Sequence, residues 1–118
     1  MGITVSIPEH RLHAYFDTFT KRFLRNESTD AVDVEVLSPD LGDQAAAQTA
    51  HLIGITYDDR ENALELELDA GDHRIVAPKE VWTEEESDGF VRAIEVVRRD
   101  GVREIVRVKR LGLRRTYD

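Results

Sequence analysis

Four histidines, twenty-four carboxylates and no cysteine bound the chemistry open to these 118 residues. His10 and His13 stand three apart, a spacing at which one helical turn could show both to a metal. At about 100° per residue, His13 falls about 100° and His10 about 160° from the centre of the apolar stripe described below. Both look to the flank or to solvent, no third ligand stands nearby, and no metal site is expected. Asp58, Asp59 and Glu61 offer oxygen ligands in a turn, but without the spacing or central glycine of an EF-hand loop they read as a solvated turn. Glu84, Glu85 and Glu86 read as a solvated charge run. His73 carries more weight, because it opens a strand that Pro78 stops, with Asp72 beside it and Glu80 beyond. General acid–base work there would need a cleft and a second positioned group. None of Ser6, Ser28, Ser38 and Ser87 sits in a Gly-x-Ser-x-Gly elbow, and the isolated glycines make no phosphate-binding loop. The missing cysteines remove thiolate, redox and zinc–thiolate chemistry together. No catalytic residue, metal or cofactor is assigned. The balance leans away from an enzyme, with a pocket at His73 as the alternative.

Charge is distributed unevenly along the chain. Val91 to Asp118 holds nine of the sixteen basic residues against four acids, for a net +5, while the first ninety residues stand at −13. Thirteen of the cations are arginine, which supplies planar, bidentate partners for carboxylates. A GC-rich genome would produce the same preference, and acidic excess with few lysines also suits a saline cytoplasm. No run approaches the roughly 20 apolar residues of a membrane span, and the N-terminus shows no basic region followed by a long apolar stretch. A soluble, cytoplasmic, single domain over residues 1–118 is expected, with 113–118 a frayed tail.

The elements that must position these residues follow from periodicity. Ser6-Ile7-Pro8-Glu9 has the form of a capping box. Behind it Leu12, Tyr15, Phe16, Phe19 and Phe23 form one apolar stripe on a helix of about 17 residues, ended by Asn26 to Asp30. The period then changes to two. Val32, Val34 and Val36 mark a half-buried strand, and Gln44 to Ala50 is ambiguous between a helical turn and a strand extension. His51 to Tyr57 reads as a strand with Ile53, Ile55 and Tyr57 on one face and Gly54 at a bulge or close approach. Leu64, Leu66 and Leu68 alternate with Glu65, Glu67 and Asp69 in the clearest strand of the chain. His73 to Ala77 follows, Val81-Trp82 is a short strand or loop anchor, and Asp100-Gly101 joins two strands as a hairpin. The fold class is α+β: an N-terminal amphipathic helix packed on an antiparallel sheet of about six strands, mostly a meander.

A two-residue turn at Asp100-Gly101 would set Arg103 opposite Arg98. It would put Val91, Ala93, Val97, Val106 and Val108 on one face, interrupted by Glu95 and Glu104. The other face would carry Arg92, Arg98, Arg103, Arg107 and Lys109 as an outward basic strip. Glu65, Glu67 and Asp69 are the expected cross-strand partners, which would help to hold register. That intramolecular reading leads. Docking of an acidic partner comes second and nucleic acid last, because a chain at −8 repels a polyanion and the strip lacks interleaved aromatics.

Asp40-Leu41-Gly42-Asp43-Gln44, Leu52 to Asp58, His73 to Pro78 and the Asp100-Gly101 hairpin together resemble a small bacterial and archaeal family of unknown function with an aromatic N-terminal helix. The resemblance spans nearly the whole chain apart from Leu113 to Asp118, and it implies no activity, cofactor or catalytic residue. The reading is a non-enzymatic binding or accessory module. Its binding residues would be Arg92, Arg103, Arg107 and Lys109, rimmed by Trp82 and His73, facing a protein partner. The module would be a monomer or a weak homodimer paired through an exposed edge in Val102 to Leu111.

Overall fold

The computed structural model describes residues 2–21, 31–40, 42–87 and 89–109. Strand β1 (Ile3–Ser6) leads through a 3₁₀ turn (Glu9–Arg11) into helix α1 (Leu12–Phe19). Among the described residues the remaining elements are strands: β2 (Ala31–Ser38), β3 (Gly42–Asp58), β4 (Ala63–Leu68), β5 (His73–Val76), β6 (Pro78–Glu85), β7 (Val91–Arg98) and β8 (Arg103–Lys109). All eight strands join one antiparallel sheet in the order β1-β6-β7-β8-β2-β3-β4-β5. The α+β class and the helix on an antiparallel sheet hold, with eight strands among the described residues where about six are expected. Phe23, Asn26 to Asp30, Leu111 and the 113–118 tail lie outside the described residues. Among the described residues, no helix is long and apolar enough to cross a membrane.

The two added strands have physical causes. Ser6 does not cap a helix; it pairs with Trp82 in β1, and Pro8 precedes the 3₁₀ turn without any side-chain cap. The Gln44 to Ala50 stretch becomes strand because β2 supplies a partner along Gly42 to His51. Pro78 closes nothing by itself. Ala77 turns the chain with φ 49°, and Pro78 opens a new strand.

That turn shapes the whole sheet. β5 is the last strand in the order and β6 the second, yet only Ala77 separates them. Two Cα–Cα steps reach about 7 Å at most, so the sheet must coil until β5 meets the β6–β7 side. The Ala77 N–H donates to the Asn62 carbonyl, and its own carbonyl accepts from the Arg99 N–H, both at 2.9 Å. β3 makes the coil possible. Its first half pairs with β2, its second half, from Leu52, with β4, and register shifts at Val32/Val34, Val34/Glu35 and Leu52/Gly54 mark the bends. The last shift turns Ile53 outward while Leu52, Ile55 and Tyr57 stay buried, correcting the expected face. Gly54 does sit at a bulge; a Cβ there would stand 3.5 Å from Thr20 Cγ2, at ordinary van der Waals contact, so no close approach demands the glycine.

One continuous core results. Leu64, Leu66, Leu68, Ile75, Val32, Val34, Ile94, Val96 and Val106 pack with the helix residues Leu12, Phe16 and Phe19. Phe16 is the centre of an edge-to-face series, 5.1 Å from Tyr15 and 6.2 Å from Phe19 between ring centroids. The helix is fastened at two further points. Thr20 Oγ1 donates to the Ile55 carbonyl and accepts from the Ile55 N–H, each at 3.0 Å, and the Tyr15 hydroxyl donates to Glu85 at 2.9 Å.

Two outcomes test this packing. Phe16→Ala, which removes a fully buried ring, is expected to cost about 3–5 kcal/mol in urea unfolding. Burial, with the Glu85 carboxylate adding to it, pushes the Tyr15 phenol up to about 12. The folded state then favours the neutral phenol, so this contribution is complete below the ordinary value of 10.0 and is lost as pH rises toward about 12. Tyr15→Phe is expected to flatten the alkaline fall in the urea midpoint over that window.

Candidate binding face and the buried ion cluster

The β7–β8 hairpin decides which basic residues face out. Its loop is three residues, not two. Gly101, at φ 90°, donates to the Arg98 carbonyl at 3.0 Å, and Arg98 N–H donates to the Val102 carbonyl at 2.8 Å. The Val102 amide donates to the Asp100 carboxylate at 3.1 Å and, ahead of Arg98, holds it below the usual range. Arg103 therefore lies opposite Val97, and Ala93 opposite Arg107. One residue of register exchanges faces on β7. Ile94, Val96 and Arg98 turn inward, while Ala93, Glu95 and Val97 join Arg103, Ile105, Arg107 and Lys109 outside, correcting the expected valine face.

The outward strip is fully matched with carboxylates, though not with those of β4. β8 lies between β7 and β2, three places from β4. Arg103 pairs with Glu95 at 3.1 Å, Arg107 with Glu35 at 3.0 Å and Lys109 with Asp33 at 3.1 Å. Arg92, at the bulge between Glu84 and Glu85, reaches Glu84 at 3.0 Å and Glu86 at 3.4 Å. Glu65 instead meets Arg74 on β5, and Asp69 accepts from the His51 amide. The Thr49 amide at 2.7 Å, and then Lys109, hold the Asp33 carboxyl below its ordinary range. Because β8 is hydrogen-bonded on both sides over Arg103–Lys109, it is an interior strand and offers no edge for a dimer. The sheet ends at β1 and β5.

Two shallow clefts mark this face. One, of about 210 Å³, lies among Trp82, Glu84, Ala93, Glu95, Ile105 and Arg107. The other, of about 260 Å³, is lined by Glu84, Phe90, Arg92, Ala93, Arg107 and Val108. Glu84, Ala93 and Arg107 line both, so the clefts adjoin as a shallow trough across β6, β7 and β8. Trp82 is half-buried on its wall, its indole N–H donating to Glu80 at 3.0 Å. The structure thus brings Arg92, Arg107 and Trp82 together, with Arg103 adjoining through Glu95 and Lys109 at the far end.

His73 stands apart from that strip. Its Nε2 is 2.7 Å from Glu104 Oε1, on the inner face of β8. Glu104 is 1% exposed, and Arg98 donates to its other oxygen at 2.8 Å and to Asp100 at 2.6 Å. Burial disfavours the Arg98 charge, but its bonds to Glu104 and Asp100 prevail and raise its pKa. These groups join β5 to β7 and β8 across the coil. The cluster was only half visible in the sequence. Glu104 interrupts an apolar face there, but nothing marks Arg98 or His73 as its partners. Asp58, read as part of a solvated turn, caps that turn by accepting from the Arg60 and Glu61 amides at 3.0 and 3.2 Å. Among the described residues, no three His, Asp or Glu side chains gather as a metal site would require.

The chain belongs to a family of unknown function, DUF5335, whose sequence pattern matches residues 3–113. It is 36% identical over 107 residues to an uncharacterized protein of Aquifex aeolicus (strain VF5), covering 90% of this chain and 92% of that one. No solved structure matches it. The resemblance read from the Asp40, Leu52 and His73 segments holds, and the tail it omits begins at the residue where the family match ends.

The two kinds of ion pair should respond differently to mutation. Arg107→Ser, at an exposed pair, is expected to cost less than about 1 kcal/mol. Glu104→Ala leaves the Arg98 charge largely buried without its main partner and is expected to cost about 3–5 kcal/mol. Urea unfolding of both variants checks the contrast.

Proposed function

We propose that this domain is a non-enzymatic binding module that docks a protein partner in the trough on its outer sheet face. The observation that carries the reading is that two adjoining clefts share Glu84, Ala93 and Arg107 on this face. The lining mixes the apolar Ala93, Ile105 and Val108 with side chains of both charges, and Trp82 supplies an aromatic anchor of the kind enriched at interface centres. Each cation already faces a carboxylate, so a polyanion gains little by approaching, and the chain's −8 opposes it further. A segment with an apolar side chain flanked by one acid and one base suits such walls better, because it can share the Arg107 and Glu84 pairs without breaking them. A cytoplasmic setting and a monomeric or weakly dimeric state belong to the same proposal. The alternative, a small-ligand binder or enzyme with His73 at a pocket, is less favoured because His73 Nε2 is committed to the buried Glu104.

Selection of random displayed peptides against the folded domain tests this. The expected binders combine an apolar residue with flanking opposite charges and shift the amide resonances of Ala93, Ile105 and Arg107. Trp82→Ala should weaken them by at least about tenfold, the effect of losing one aromatic anchor. Binders that map away from the trough, or that ignore Trp82→Ala, would contradict the reading.

A further inference from the structure

A different cavity lies on the other side of β6, where the helix meets the β6–β7 end of the sheet. It has a volume of about 260 Å³, and its walls include Arg11, Ala14, Tyr15, Phe19, Glu85 and Val91. Phe19 and Val91 are core residues whose margins form an apolar floor. Glu85 is its acidic group. Glu85 Oε2 accepts from the Tyr15 hydroxyl at 2.9 Å and from the Thr83 hydroxyl at 3.1 Å, and Thr83 is itself buried. Two donors on one oxygen fix the orientation of the carboxylate before any ligand arrives.

What those donors do not supply is charge. Glu35, Glu84, Glu95 and Glu104 each face an arginine. Glu85 is held by neutral hydroxyls alone and, among the described residues, makes no ion pair; its Oε1 has no hydrogen-bond donor there. A half-buried, oriented carboxylate on the wall of an apolar-floored cavity is complementary to a cation that brings its own apolar body.

We propose that this cavity binds a small organic amine, its ammonium on Glu85 and its hydrocarbon portion against Ala14, Phe19 and Val91. Arg11 on the same wall limits the ligand to one positive charge, since a second ammonium would meet a like charge. The volume is at the small end for ligand sites, which restricts the body to one branched chain or one ring. The site is separate from the outer trough, and its success or failure leaves the docking proposal untouched.

The test is a nuclear magnetic resonance titration of the whole chain with 3-methylbutylamine and with the isosteric alcohol 3-methylbutan-1-ol. The amine is expected to shift the Tyr15, Glu85 and Val91 amides saturably, with a dissociation constant on the order of 1 mM. The alcohol, which lacks the charge, should bind about tenfold more weakly, the usual worth of a charge-assisted hydrogen bond. Glu85→Gln keeps the size and the hydroxyl contacts and should lose the preference for the amine. Ala14→Phe, on the exposed side of the wall, fills the cavity without touching Glu85 and should abolish binding while leaving the spectrum of the sheet intact. No saturable shift with the amine would overturn the proposal. So would an alcohol that binds equally well, or an Ala14→Phe variant that binds as the parent does.

Discussion

A single residue, Ala77, imposes the constraint from which the rest of this structure follows. It joins the last strand of the sheet to the second, and no flat sheet can satisfy a link that short. The sheet must coil, and β3 must be long enough to serve both halves. Coiling brings His73 of β5 over the inner face of β8, which takes Glu104 out of water. A carboxylate buried to that degree costs several kcal/mol unless it is paired, and Arg98 and His73 provide the pairing. The buried ion cluster is therefore a consequence of the topology as much as a support for it.

The same topology explains the uneven charge along the chain. The basic β8 is inserted between β2, which supplies Asp33 and Glu35, and β7, which supplies Glu95, so an imbalance of +5 against −13 in sequence becomes a mosaic of neighbours in space. Exposed pairs of this kind add little stability each. Their larger effect is on order: β8 placed against strands lacking Glu95, Glu35 and Asp33 would leave Arg103, Arg107 and Lys109 unmatched. The surface that results is a pair of adjoining clefts lined by side chains of both signs together with Ala93, Ile105 and Val108, a different object from the basic strip that the sequence suggests.

How much of this was legible depends on how local the determining physics is. Leu64, Leu66 and Leu68 declare their strand and its buried face because period two is written in three successive pairs. The aromatic stripe on α1 is as plain, for Leu12, Phe16 and Phe19. Faces fail wherever one extra residue intervenes. The third loop residue of the β7–β8 hairpin moved Ile94 and Val96 inside, and the bulge before Gly54 moved Ile53 out. Strand order was beyond reach, since nothing local tells Arg107 that its neighbour is Glu35 and not Glu65. The outer face was thus readable as a set of basic residues, and the carboxylates that pair with them and the shape of the face were not. The Glu85 site was hidden for the same reason, because Tyr15 and Glu85 lie seventy residues apart.

That the sheet coils back shows most directly at Ala77, whose N–H donates to the Asn62 carbonyl in line with the β4–β5 ladder while its carbonyl accepts from the Arg99 N–H in line with the β6–β7 ladder, both at 2.9 Å. The Arg99 bond alone extends the β6–β7 pairing; the two bonds together hold the ends of both ladders at one residue. Native-state hydrogen exchange at Ala77 and Arg99 together measures whether that link is held. The coiled sheet predicts protection of both amides close to that of Val96 in the middle of β7, lost only on global unfolding. Exchange of the Ala77 amide at the rate of an open loop, with Arg99 and Val96 still protected, would contradict it.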